Sequence, residues 1–238
     1  LEDGYGINLR PLSMFAASAY RDDPCTRFKP HILDQNIYDV VDPGLVAKMH
    51  KAITVIQFKV EGQIIKRHPE YGLNHRCLLE HVDFDKGTVE VDGKTYPMLD
   101  MKFPTIDPKD PLKLTEQEAE LLQTLKMSFR HSGLLHKHIK FLYSHGSMYK
   151  CCNNNLLYHG CIPLKKDGSF DDIVFYGIPY SGKALMDFVD QMVQSAYFLP
   201  ESNPDKVVAS DFMWYLWCGA KSPLFGKEKM TTFEHYFI

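Results

Sequence analysis

The sequence predicts an α/β protein with an inserted helix and β-hairpin unit, on three observations. Apolar residues recur at three- and four-residue steps over 43–66, 116–130 and 182–198, the period of an amphipathic helix. Between these stretches lie short β-rich runs. Asp85-Lys86-Gly87, Asp92-Gly93 and Asn153-Asn154-Asn155 break those runs with residue types that favour tight turns. No internal repeat and no low-complexity tract runs through the 238 residues, which excludes a solenoid or a fibrous array.

Taken in order, Pro11 to Tyr20 reads as one helix begun by proline in its first turn and ended by Arg21-Asp22-Asp23-Pro24. Pro43 opens a longer helix to about Lys66, with Leu45, Val46, Met49, Ile53, Ile56, Val60 and Ile64 as its expected buried stripe. A hairpin or meander follows across 77–98. The prolines at 104, 108 and 111 mark a connector, after which Thr115 and Glu118 stand at capping-box spacing ahead of a helix over 116–130. Ser132 is placed to cap a second helix that Gly146 stops. Ser147–Cys152 and Leu156–His159 then form a hairpin around the three asparagines. Ile173–Tyr176 reads as a strand, and Ser181 opens a helix to about 198. The apolar stretch 207–218 fits either a strand or a helix.

Twenty-seven Lys and Arg against thirty Asp and Glu leave a formal charge of −3, so there is no basic field of the kind that holds a phosphate backbone, and nucleic acid is not an expected partner. The longest apolar run, Phe212–Cys218, falls far short of the roughly 18 residues that cross a bilayer, and no membrane partner is expected. The six cysteines show no C-x-x-C spacing and no disulfide density. They read as small buried hydrophobes in a cytoplasmic protein. The chain opens at Leu1 without Met and closes on Tyr236-Phe237-Ile238, ends more apolar than free termini usually are; this leads to the expectation of an excised middle portion of a longer polypeptide.

Chemistry is concentrated in Leu156-Leu157-Tyr158-His159-Gly160-Cys161-Ile162-Pro163. An apolar strand ending in His then Gly sets an imidazole at a sheet edge, and the glycine lets backbone or ligand approach closely. That geometry suits a metal ligand or a hydrogen-bonded structural histidine. A divalent ion would need further donors, and His131, His136 and His138 diverge around their helix rather than completing a set.

Blocks spread over nearly the whole chain carry a resemblance. They are Leu1 to Leu12 (LEDGYGINLRPL), Gly146-Ser147-Met148-Tyr149, Asn155 to Pro163, Tyr176 to Leu185 (YGIPYSGKAL) and Asp211 to Glu234. Together they resemble class III fructose-1,6-bisphosphatase, with 60–110 as the variable stretch. The resemblance implies a partial calcineurin-like metallophosphatase β-sandwich flanked by helices. On that reading 1–42 and 113–238 are parts of the phosphatase core, and 43–112 is the helix and hairpin insertion. It implies hydrolysis of fructose 1,6-bisphosphate in gluconeogenesis by the complete enzyme, with Mn as the metal cofactor. The family's ligand set needs a G-D-x-x-D-R and a G-N-H-D block ahead of this region and a G-H block behind it. None is present, so the carried-over metal ligand is His159 alone, the remaining segments of the parent chain are an expected partner, and the fragment by itself is expected to be inactive.

The bisphosphate carries about four negative charges and calls for cations. The resemblance puts Lys221 in the loop after the Trp-containing apolar stretch, facing the substrate. Lys183 sits in Ser181-Gly182-Lys183 at a helix N-terminus, suited to an anion or to plain solvation. Arg10 is a further candidate, with a surface salt bridge as its ordinary role. A homo-oligomer remains open. The rival readings are a noncatalytic interaction or regulatory module derived from a metallophosphatase, and a Cys/His zinc protein.

Overall fold

A computed structural model describes residues 1–31 and 42–238. Residues 32–41, which the sequence reading assigns to the first core segment, lie outside the described residues. In chain order the elements are α1 (Glu2–Tyr5), α2 (Arg10–Ala19), α3 (Pro43–Arg67), β1 (Val82–Asp83), β2 (Thr88–Val91) and β3 (Lys94–Pro97). There follow α4 (Glu116–His131), α5 (Gly133–His145), β4 (Tyr149–Cys152), β5 (Asn155–Tyr158), β6 (Ile173–Phe175) and β7 (Ile178–Tyr180). The chain ends with α6 (Gly182–Phe198), α7 (Asp205–Cys218) and α8 (Thr232–Phe237). The protein is therefore mixed α and β. Its described strands form one three-stranded and two two-stranded sheets, all antiparallel. No described helix is long and apolar enough to cross a membrane.

Two compact units divide the chain. The first comprises Leu1–Arg67, Asn74–His138 and Thr232–Ile238. Its axis is α3, whose ends and length match the sequence pattern but whose covered side does not follow the expected stripe. Of that stripe only Ile56 and Ile64 are buried, while Ala47, Lys51, Val55, Lys59 and Gly62 line the covered face. Two lysines can lie inside because carboxylates meet them there. Lys51 Nζ donates to Asp23 at 2.5 Å and to Asp100 at 2.7 Å, and Lys59 Nζ donates to Glu118 at 2.7 Å. Apolar periodicity cannot register such a pairing, since each partner lies far away in sequence. At Gly62 a Cβ would meet Leu112 Cδ2 at 2.5 Å, so glycine is what lets the 112 segment close against α3.

β1–β2–β3 make the expected meander, with Val89 and Val91 turned inward. Its second turn is built on Asp92 and Gly93, both left-handed at φ 51° and 73°, the conformation that a two-residue hairpin of this twist demands. α4 begins in a complete capping box: Glu118 N–H donates to the Thr115 hydroxyl, and Thr115 N–H donates to Glu118 Oε2. α8 closes the core with Phe233 and Phe237, and Arg76 holds it through two bonds to Glu234 at 2.7 and 2.9 Å.

The second unit comprises His68–Leu73 and Ile139–Thr231. Here the stretch left as strand or helix resolves as helix: α7 packs Phe212, Tyr215 and Leu216 inward and leaves Trp217 exposed. Phe175 from β6 lies edge-on to Phe212 and Tyr215, with centroids 5.0 and 5.1 Å away, and stacks on Phe188 of α6 at 5.6 Å. Each such pair adds about 0.5–1.5 kcal/mol beyond its buried area. His68 is buried beside this cluster. One ring nitrogen faces Asp211 at 3.1 Å, the other faces Glu70 at 2.8 Å, and the ring stacks on Tyr71.

Candidate functional site

The hairpin β4–β5 sets the position of His159. Asn153 and Asn154 both adopt left-handed backbone, φ 49° and 58°, which asparagine tolerates better than most residues. Register then pairs Tyr149 with Tyr158, the last residue of β5. His159 follows at once. It is exposed, and its ring enters no hydrogen bond or ion pair among the described residues. The imidazole is thus presented to its surroundings rather than spent on the core.

Immediately behind it the chain is pinned to the loop that follows α7. Cys161 N–H donates to the carbonyl oxygen of Pro223 at 2.8 Å, and the Cys161 thiol points to the carbonyl oxygen of Ser222 at 3.5 Å. A Cβ at Gly160 would lie 2.2 Å from the Pro223 oxygen, closer than any two such atoms can approach. Ser222 organises the loop from inside. Fully buried, its hydroxyl donates to Leu216 O at 2.7 Å and accepts from the N–H groups of Leu224 and Phe225 at 3.1 and 3.3 Å.

Lys221 stands on this loop and is half-exposed. Its ammonium lies 2.9 Å from Asp171, and Asp171 N–H donates to the carbonyl oxygen of Pro163 at 3.0 Å. The segment from His159 to Pro163, Asp171, Lys221 and Pro223 therefore form one closed circuit of contacts. These bonds join the segment that follows His159 to the loop that carries Lys221.

Lys183 flanks the hairpin in another way. It pairs with Asp187 at 2.5 Å, one turn along α6, and its ammonium lies 5.7 Å from the ring centre of Tyr149, which donates to Asp187 at 3.0 Å. The Asp187 carboxylate, with help from Tyr149, pushes the Lys183 pKa up to about 12. Ser181 does occupy the N-cap position of α6, although its hydroxyl makes no capping bond. Arg10 opens α2 in the first unit, exposed, and its backbone N–H donates to Asn8. Sequence reasoning missed Asp171, Ser222 and Tyr149. Tyr149 and Ser222 lie in the matched blocks Gly146–Tyr149 and Asp211–Glu234, whereas Asp171 lies in none.

A family model described as Firmicute fructose-1,6-bisphosphatase matches residues 1–238. The chain belongs to this family. Proteins named fructose-1,6-bisphosphatase class 3 are 54% identical over 238 residues in Clostridium tetani, 51% over 239 in Finegoldia magna and 50% over 238 in Listeria monocytogenes. Each match covers 100% of this chain and 36 or 37% of the relative, so the chain spans little more than a third of the length of these curated bisphosphatases. No solved structure matches it.

The metal that the bisphosphatase resemblance implies can be tested on the donors present. Among the described residues no three His, Cys, Asp or Glu side chains converge so as to hold an ion. His159 is a single donor, whereas a divalent site of this kind takes three or more protein ligands. The residues described here do not by themselves fit the ion.

Proposed function

We propose that the chain is part of an enzyme that hydrolyses fructose 1,6-bisphosphate to fructose 6-phosphate and phosphate, a gluconeogenic reaction of the cytoplasm. The observation that carries this reading is the match of the whole chain to the bisphosphatase family, beside curated relatives at 50% identity or more. In this reading a calcineurin-like sandwich is completed by polypeptide beyond these residues, and Mn is bound there with His159 as one ligand. No step of the chemistry is assigned through the metal, since one donor fixes neither its place nor its geometry.

This chain's own contribution concerns positioning and charge. Exposure of the His159 ring supports a role as a donor, and the Cys161–Pro223 contact ties that strand end to the loop bearing Lys221. Lys221 supplies a cation to a substrate phosphate. To do so it must exchange Asp171 for the ligand, a trade between two oxyanions that binding resolves in favour of the more highly charged one. Lys183 serves as a further cation toward the bisphosphate, under the same competition from Asp187.

Phosphate release from fructose 1,6-bisphosphate, measured with added Mn on the complete gene product and on residues 1–238 side by side, tests the proposal. Activity of the complete product, and none from the fragment, is the expected result. A complete product without activity toward this substrate overturns the reading in favour of a noncatalytic module.

A further inference from the structure

A cleft of about 680 Å³ opens in the first unit, lined by the turn that ends α2 and by the 102–104 segment. None of its lining residues has a role in the phosphatase reading. A buried ammonium ties its two walls together. Lys51 Nζ donates to Asp23 at 2.5 Å on one side and, on the other, to Asp100 at 2.7 Å, two residues before Lys102. The walls also meet directly, since Lys102 Nζ donates to the carbonyl oxygen of Asp22 at 3.2 Å. Lys48 Nζ holds the carbonyl oxygen of Arg21 at 2.7 Å. The cleft is thus built into the fold of this unit.

Its polar lining is uneven in what it still offers. Arg21 brings an exposed guanidinium with five N–H donors, and its side chain enters no hydrogen bond or ion pair among the described residues. Lys102 uses one of its three donors on the Asp22 carbonyl. Asp23 also lines the cleft, but its carboxylate is already answered: one oxygen accepts from Lys51, the other from Cys25 N–H at 2.8 Å, and the residue is 7% exposed. Asp22 keeps an exposed carboxylate without a partner among the described residues, and so does Ser18 its hydroxyl. Phe103 and Pro104 add apolar surface.

We propose that this cleft binds a sugar phosphate. Arg21 and Lys102 are two cations lining one cavity, and the planar fork of arginine can hold two phosphate oxygens at once. Asp22 decides what the phosphate is attached to. A bare inorganic anion would set like charge against its carboxylate with nothing donated in return. A polyol on the phosphate instead supplies hydroxyl donors, which a carboxylate accepts, while Ser18 can give or take a bond with the same groups. An unphosphorylated sugar leaves both cations unanswered. The volume lies within the roughly 300–1,000 Å³ of small-molecule sites, room enough for the whole ligand.

Arginine labelling with phenylglyoxal on the complete gene product, mapped by mass spectrometry, tests the site at the residue concerned. Glucose 6-phosphate should slow the labelling of Arg21, whereas glucose at the same concentration should leave it unchanged. Lys102→Met should abolish that protection. The first comparison uses the wild-type chain and so does not depend on how any variant folds. Arg21 labelling that ignores glucose 6-phosphate overturns the proposal, as does protection that survives Lys102→Met undiminished. Equal protection by inorganic phosphate overturns the assignment to a sugar. Because the readout is Arg21 itself, a sugar phosphate bound elsewhere leaves it unmoved, and the result stands apart from the success or failure of the phosphatase reading.

Discussion

Cys161 donates its backbone N–H to the carbonyl oxygen of Pro223 at 2.8 Å, and this bond joins the end of the His159 strand to the loop that carries Lys221. Two segments some sixty residues apart in sequence are thereby held in one register. The bond is possible only because Gly160 has no side chain. Gly160→Ala places a carbon 2.2 Å from the Pro223 oxygen, a backbone atom that cannot swing aside. The loop must move, at a cost of about 1–3 kcal/mol, typical of forced overpacking. Chemical denaturation should show that loss, and the phosphatase activity of the complete protein should fall further than stability alone explains.

His159 and Lys221 should respond differently to substitution. His159→Ala in the complete protein should abolish Mn-dependent turnover by orders of magnitude while leaving the unfolding midpoint in place, since the exposed ring supports no core. Lys221→Ala should raise KM more than it lowers kcat, as expected for loss of ground-state phosphate binding. Asp171→Asn should move KM the opposite way by releasing Lys221 from its competing carboxylate. An unchanged KM in Asp171→Asn would show that Lys221 does not meet the substrate.

Local grammar was legible in the sequence where cause and effect are neighbours. Thr115 and Glu118 announced α4 because a capping box is a contact across three residues, and Asn153-Asn154 announced the β4–β5 turn because positive φ is a property of single residues. Lys51 and Lys59 were not legible as core residues, since their carboxylates come from 28, 49 and 59 residues away. The 207–218 stretch read both ways because it is apolar all round, so that neither period stands out. Part of the candidate site was visible for a similar reason: His159 and Lys221 lie in recognisable blocks, whereas Asp171 enters through its backbone bond to Pro163 and an ion pair made across fifty residues of chain.

The buried pair Lys59–Glu118 predicts a large stability effect. Both side chains are fully buried, so removing one leaves a charge without compensation. Glu118→Ala should destabilise the protein by about 3–5 kcal/mol, with loss of the capping box included. Lys59→Met with Glu118→Leu should recover much of that, because a buried ion pair is often matched by apolar residues of similar volume. Urea titration of the single and double variants decides the point.

Thiol chemistry should separate the cysteines by depth. Burial pushes Cys25 and Cys77 up to about 12, reinforced by Asp23 and by Glu80 respectively, and thiolate is the reactive form. Both should resist alkylation at mildly alkaline pH until the protein unfolds. Cys151 and Cys152, exposed on β4, should label first in residues 1–238. Mass mapping of modified peptides over time gives the order, and early labelling of Cys25 or Cys77 would contradict the packing of the first unit.

Acid should weaken the first unit through Asp23. Burial alone would raise its carboxyl pKa, but the Lys51 ammonium and the Cys25 N–H outweigh that effect and hold it below its ordinary value of 3.8. A carboxyl whose pKa is lower folded than unfolded adds stability at every pH above the unfolded value, and loses it as pH falls through the folded one. The contribution is thus intact at neutral pH and disappears below about pH 4. Asp23→Asn cannot ionise, so its stability deficit relative to wild type should be largest near neutrality and should shrink as pH drops below that point. Urea unfolding of the two proteins across this range measures the difference. A deficit that stays constant on acidification would mean that the charge on Asp23 contributes nothing and that only its hydrogen-bonding shape matters to Lys51.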